Sequence, residues 1–451
     1  PFNKYTTFAR GIYNTFLRIS TVFHPFCFYK SRNLWYTVFC RQFFLLRNLK
    51  KIGEYRMKKF FAAAALATAA LLLFTGCSAQ ITADISSGWF TDPATAFEST
   101  FYESLDYTVG FNNSDSNTTG LTIDVDSKNS SYNITTKALS NYTVPGTNIQ
   151  YSNVYYLKST LTVSATYRFV HDGETLEWSF GGTHDTDAAN EDFAPEDADS
   201  VVMEVWFTSA NSTAAGTQET CPAYSPIRSV QTVRSHGSSA SVIDGNKMFM
   251  SMYDFSITID YNRTCQNATA AYTDNFADLT DEERAANEYV RKASTLFPDS
   301  RDLKDLQKNY TCVDNAQLLF IARGLAMNTD TSHTLTVVSG VANNYPATQS
   351  ISCSELVNSH ANFTMVNADG SESVYDDNKE EIPVARMRFA LANTGSNIGE
   401  NTTVTYAQRA ASGANTNRCL PLHIETPYGW NIGNYEYTLK KATYQAPAEQ
   451  A

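Results

Sequence analysis

Any chemistry in this 451-residue chain has to come from groups that stand apart. His171, His184, His236, His333, His360 and His423 occur singly, without the His-Glu-x-x-His or His-x-His spacing that brings two imidazoles onto one metal. Cys221, Cys265, Cys312, Cys353 and Cys419 lie 41 to 66 residues apart, which excludes Cys-x-x-Cys redox and zinc-ribbon patterns. One or two disulfides could form among these five, at least one thiol would stay unpaired, and spacing assigns no pairing. The chain has no Gly-x-Ser-x-Gly elbow, no Ser-x-x-Lys nucleophile pair and no P-loop. The residues therefore predict no catalytic group, no metal ligand and no cofactor.

Oxygen-rich and aromatic stretches offer binding rather than reaction. Asp185, Asp187, Glu191, Asp192, Glu196, Asp197 and Asp199 crowd one segment, and such loops can hold Ca²⁺. The turn glycine and terminal glutamate of an EF-hand register are missing, so a solvated loop is the expectation, as it is for Asp369-Gly370 through Glu381. Trp89-Phe90, Trp206 and Tyr428-Gly429-Trp430 could stack on sugar rings, although aromatics at strand positions usually fill cores. The Asn-x-Ser/Thr triplets at Asn117, Asn133, Asn141, Asn211, Asn267 and Asn401 fit turns and strands rich in Asn and Thr.

Charge narrows the partners. Residues 1–76 carry twelve of the 34 Lys and Arg and a single acid, Glu54, which leaves 22 basic and 45 acidic residues in 77–451, a net of −23. A body so acidic repels phosphate backbones, so nucleic acid is not an expected partner.

The front of the chain divides at Met57. Residues 1–56 contain no Met and mix Phe, Tyr and Arg without a period. They read as untranslated upstream DNA read in frame, with a real cytosolic or amphipathic extension as the alternative, because Ile52-Gly53-Glu54 can be spelled by a purine-rich ribosome-binding sequence just ahead of the Met57 codon. From Met57 the pattern is that of a leader: Lys58-Lys59, then an apolar run from Phe60 to Phe74, too short for a comfortable membrane span. The run ends in Leu73-Phe74-Thr75-Gly76-Cys77. This Leu-x-x-Gly-Cys ending resembles the lipobox of bacterial lipoproteins. The resemblance implies cleavage after the small Gly76 and acylation of the Cys77 thiol. Two or three acyl chains hold a protein stably on a membrane, where one binds only marginally. The implied location is the extracytoplasmic face of the cell membrane, with the membrane itself as a partner. Ser78 is not the Asp that favours inner-membrane retention in Gram-negative members of that family.

The elements that would position any site are mostly strands. From Tyr155 to Val170, Tyr155, Leu157, Leu161, Val163, Ala165, Tyr167 and Phe169 alternate with polar residues, the mark of an antiparallel strand with one dry face. At roughly 3.3 Å per residue such a strand must bend or bulge within a curved sheet. Asp172-Gly173 is a type I′ turn signal, followed by a return strand with Leu176, Trp178 and Phe180 on one face. The alternation recurs at Leu121/Ile123/Val125, Phe255/Ile257/Ile259/Tyr261, Met387/Phe389/Leu391 and Tyr435/Tyr437/Leu439. Val201 to Phe207 is more evenly apolar than these and suits a central strand. Thr280-Asp-Glu-Glu283 is a capping box predicting a helix to about Ser294, and Asp314 can cap a second helix carrying Leu318, Leu319, Ile321 and Leu325.

The predicted fold is mainly β (α+β), a large curved antiparallel sheet or sheets with a small helical insertion. Segments 96–270 and 330–451 are β-rich, 271–329 is helical, 77–95 is a short lipidated tether and 57–76 the leader. In outline this resembles the curved half-barrels of envelope lipid-carrier and lipoprotein-handling proteins, a likeness of architecture alone. The expected role is non-enzymatic binding of a ligand or an envelope protein. The alternative is a carbohydrate-binding or glycoside-hydrolysing surface protein.

Overall fold

A computed structural model of the chain describes residue 85 and residues 97–117, 120–171, 174–180, 199–215, 221–244, 247–274, 300–325, 327–339, 346–376, 381–392, 401–408, 418–428 and 432–447, all within the unit Ala79–Ala451. The fold is mainly β, as the alternating patterns predict. Hydrogen-bonded neighbours follow one another in the order β11 (Ser300–Leu303), β10 (Ala268–Asp274), β9 (Lys247–Tyr261), β8 (Pro226–Asp244), β7 (Asp199–Thr208) and β4 (Gln150–Val163). Next come β3 (Ser131–Thr143), β1 (Tyr102–Asn113), β20 (Gly433–Thr443) and β19 (Pro421–Tyr428). The run ends with β18 (Thr402–Ala407), β17 (Glu381–Ala392), β14 (Ala347–His360), β13 (Ser332–Val338) and β12 (Thr311–Asp314). Every pairing along this run is antiparallel except β12 with β13. A side hairpin of β15 (Phe363–Val366) and β16 (Glu372–Tyr375) joins through β15, parallel to β20.

The long alternating run at 155–170 is not one strand. It breaks at Ser164, and β5 (Ala165–His171) leaves for a separate three-stranded sheet with β2 (Leu121–Val125) and β6 (Glu174–Phe180). The break is stable because Ser164 finds partners outside any ladder. Its N–H donates to Ser130 Oγ at 2.9 Å, and its carbonyl accepts from Asp126 N at 2.8 Å. The alternation stays in phase across it, so Val163, Ala165 and Tyr167 all remain buried. The β5–β6 register sets His171 opposite Glu174, and the predicted turn residues Asp172-Gly173 lie outside the described residues. Val201–Phe207 is central, between β4 and β8.

The stretch 271–329 differs from the helical expectation. Its described part holds the end of β10, the strands β11 and β12, a 3-10 turn at Asn315–Gln317 and one short helix, α1 (Leu318–Ala322). The helix predicted at 280–294 lies outside the described residues. Asp314 does act as the cap, Oδ1 accepting from Ala316 N at 2.8 Å. Leu318, Phe320, Ile321 and Ala322 are all buried, and the Phe320 ring meets Phe101, Tyr155 and Phe207 at 5.3 to 6.3 Å.

The sheet curls around this helix. Asp314 ends β12 yet accepts hydrogen bonds from Ser229 on β8 and Tyr261 on β9, each at 2.6 Å. Strands β12 and β8 are eleven steps apart in the sheet, which laid flat would separate them by roughly 50 Å. One core therefore draws on both β-rich stretches, from Phe101 and Leu105 to Leu439 and Tyr444. A smaller cluster joins Phe255, Ile257 and Ile259 to Cys312 and Val338 across the gap between the two ends. Among the described residues, no helix is long and apolar enough to cross a membrane.

Candidate functional site

Inside the curl lies a cavity of about 290 Å³. Strand pairing builds one wall of it: Leu105, Ile134, Ser159 and Met203 stand side by side on β1, β3, β4 and β7, and all four face inward. Phe389 on β17, Ile424 on β19 and Tyr437 on β20 extend the wall, and Leu318, Leu319 and Phe320 project from the helical segment. These are the inward positions of alternating strands, so the same pattern that predicts strands also makes the lining apolar.

A few polar groups interrupt it. Arg323, one residue beyond α1, forks onto Glu103 of β1, and both lie in the lining. Burial pushes the Tyr132 phenol well above its ordinary range, with a small opposing pull from Ser159, and burial does the same to Tyr437. Both phenols are therefore neutral hydrogen-bonding groups at neutral pH. Three lining side-chain oxygens are buried without a hydrogen-bond partner: Thr136 Oγ1, Ser159 Oγ and Gln349 Oε1. Leaving such an atom unmet costs about 1–3 kcal/mol. The amide oxygen can only accept, so its missing partner is an N–H or O–H group, while the threonine hydroxyl can donate or accept. An apolar chamber with a few unmet polar atoms is suited to holding a molecule in a fixed orientation.

The residues singled out by type and spacing do not gather at this cavity. Cys77 lies outside the described residues, as do His184, Trp89, Phe90, Trp430 and the acidic run up to Asp197. Asp199 sits on β7. All five later cysteines are buried free thiols, so no disulfide is present among the described residues. Burial raises the thiol pKa of Cys221 and Cys353, and the neighbouring Cys265 thiol together with burial raises that of Cys312. Trp206 stacks on Tyr142 at 5.1 Å and 13°, and Tyr428 packs edge-on against Phe111 and Tyr435, so both rings pack against their own neighbours. Asp369 organises a turn, its Oδ1 accepting from Ser371 N and Oγ at 2.9 and 2.6 Å. His171 and His236 lie on β5 and β8, His333 on β13, and His360 stands 3.6 Å from Glu381.

The polar and charged groups of the lining, among them Glu103, Arg323, Thr136, Ser159 and Gln349, escaped sequence reasoning. Only Arg323 left a signal, a single charge inside the apolar stretch from Leu318 to Leu325. Compared with known proteins, the chain matches no family model, no curated protein and no solved structure.

Proposed function

We propose that this protein is a non-enzymatic, lipid-anchored binding protein of the extracytoplasmic membrane face, tethered through Cys77, which holds a small, largely apolar ligand inside its curled sheet. The observation that carries the binding half is the apolar cavity with its unmet Thr136 and Gln349 oxygens. A ligand with an apolar body and polar hydrogens to donate would suit this lining. The lipobox resemblance at Leu73–Cys77 supports the anchor.

The carbohydrate-hydrolysing alternative needs two available carboxylates flanking a bond, about 5 to 9 Å apart. The carboxylate in the cavity lining is Glu103, and Arg323 holds both its oxygens. Binding without turnover is the better reading.

Each half has its own test. Mass spectrometry of the native protein should find an N-terminus at Cys77 carrying acyl mass; any other start, or a bare cysteine, removes the anchor. For the cavity, a fluorescent apolar probe should bind the delipidated protein, and Ser159→Leu, which extends a side chain into the space, should abolish binding with the β circular-dichroism spectrum intact. Equal binding by S159L, or no binding by either form, removes the ligand reading.

A further inference from the structure

The strands β19 and β20 carry a second cluster on the face opposite the cavity. Ile424, Thr426 and Tyr437 line the cavity, and alternation turns His423, Glu425, Glu436 and Thr438 the other way. Register places Thr438 across from His423 and Glu436 across from Glu425. We propose that this outer patch is a divalent-metal site of the zinc class, with His423 Nε2 and one carboxylate oxygen each from Glu425 and Glu436 as ligands.

Four observations carry the assignment. First, the three candidate ligand atoms lie within 4.8 Å of one another, and His423 Nε2 is 3.3 Å from Glu425 Oε1. Ligand atoms bonded at about 2.0 Å around a tetrahedral ion stand roughly 3.3 Å apart. Second, two carboxylates directly opposite on neighbouring strands repel each other. Among the described residues neither is paired with a Lys or Arg; the basic group beside them is His423, in contact with Glu425, and a bound cation would supply counter-charge to both carboxylates. Third, His423 Nδ1 lies 3.0 Å from Thr438 Oγ1, a contact that orients the ring and leaves Nε2 towards the carboxylates. Fourth, the next residue in the row is Gly110 on β1, opposite Glu436, and a Cβ there would meet nothing within 4 Å. That opening leaves room for a water or an exogenous ligand at the fourth position.

The donor set selects the metal. An imidazole with two carboxylates suits Zn²⁺ and its neighbours in the first transition row, whereas Ca²⁺ takes six to eight oxygens. With three protein ligands and one free position, the ion would be open to solvent. The His423 and Glu425 side chains are 30% and 44% exposed, so the ion can load from solution. This assignment is independent of the cavity reading.

The test uses the metal-stripped full chain titrated with Zn²⁺ by calorimetry and with Co²⁺ by visible absorption. One equivalent should bind, with a tetrahedral cobalt band. His423→Ala and Glu436→Gln should each abolish binding at this site while the circular-dichroism spectrum is unchanged. Thr438→Val, which removes only the orienting contact, should weaken it roughly 10-fold. His360→Ala, at a histidine with one nearby carboxylate, should leave the titration as in the parent. No bound equivalent in the parent, or an unaltered isotherm in both H423A and E436Q, overturns the proposal.

Discussion

Arg323 closes on both carboxylate oxygens of Glu103, at 2.6 and 2.9 Å, across 220 residues of chain and with each side chain only 1% exposed. Burial alone would lower the guanidinium pKa. The Glu103 carboxylate outweighs that effect and raises it, so Arg323 stays charged. Its remaining donors reach the Arg418 carbonyl at 2.8 and 3.3 Å. The pair joins the first strand of the sheet to the end of the helical segment at the cavity.

Removing one partner leaves the other charge buried and unmatched. Arg323→Met or Glu103→Leu alone should cost about 3–5 kcal/mol, and the double variant R323M/E103L should cost far less than the sum. Urea unfolding of the four proteins measures this. Single variants that unfold with the parent would mean that the pair is hydrated.

Asp314 makes stability depend on pH in the direction unusual for a carboxylate. Burial raises its pKa above the ordinary value, against the hydrogen bonds from Ser229, Tyr261 and the Ala316 N–H. Between the unfolded value near ~3.9 and the raised folded value, the folded state holds the proton that the unfolded state has released, so stability falls as pH rises through that window. Above the folded pKa the penalty is constant. Asp314→Asn cannot titrate, so the stability of the parent relative to D314N should decline from about pH 4 upward and then level off. Parallel pH profiles from urea midpoints would contradict this.

Thr136 buries a hydroxyl with no partner beside the cavity. Thr136→Val keeps the shape and deletes the unmet group, so the ligand-free protein should gain about 1 kcal/mol. The same variant should bind the natural ligand less tightly if that ligand satisfies the hydroxyl. Thermal melts with and without ligand separate the two effects, and a less stable ligand-free variant would indicate a bound water in the site.

Gly433 opens β20 where it lies between Asn113 of β1 and Tyr428 of β19. A Cβ there would run into the Asn112 carbonyl and the Phe111 ring, and the backbone neighbour cannot swing aside as a side chain could. Gly433→Ala should destabilise the protein by about 1–3 kcal/mol through forced separation of the strands. A melting temperature equal to the parent's would show that the strands part without cost.

Much of the fold is legible in the sequence because strands advertise their faces locally. The alternation at Tyr155–Tyr167 and Phe255–Tyr261 names residues that are in fact buried, save the half-buried Leu161, and Asp314 caps the turn that its side chain predicts. Less of the site is legible. Thr136 and Gln349 look like ordinary polar strand residues until the fold turns them inward. His423-x-Glu425 is one half of a cluster whose other half, Glu436, belongs to a different strand. The signals that existed were small: a lone Arg323 in an apolar stretch, and a His-x-Glu on one strand face.

By itself, then, the sequence determined a β-rich protein, the inward and outward faces of its best strands and the helix cap at Asp314. Each of these depends on neighbours a few residues away. Tertiary structure alone decided that the run at 155–170 serves two sheets, that the first long strand lies beside the last, and that the sheet curls until Asp314 meets Ser229 and Tyr261. The reason is that a period of two specifies which side of a strand is dry but carries no information about which strand lies next to it. That choice is made by contacts between residues hundreds of positions apart, and both the cavity and the His423 cluster exist only once it has been made.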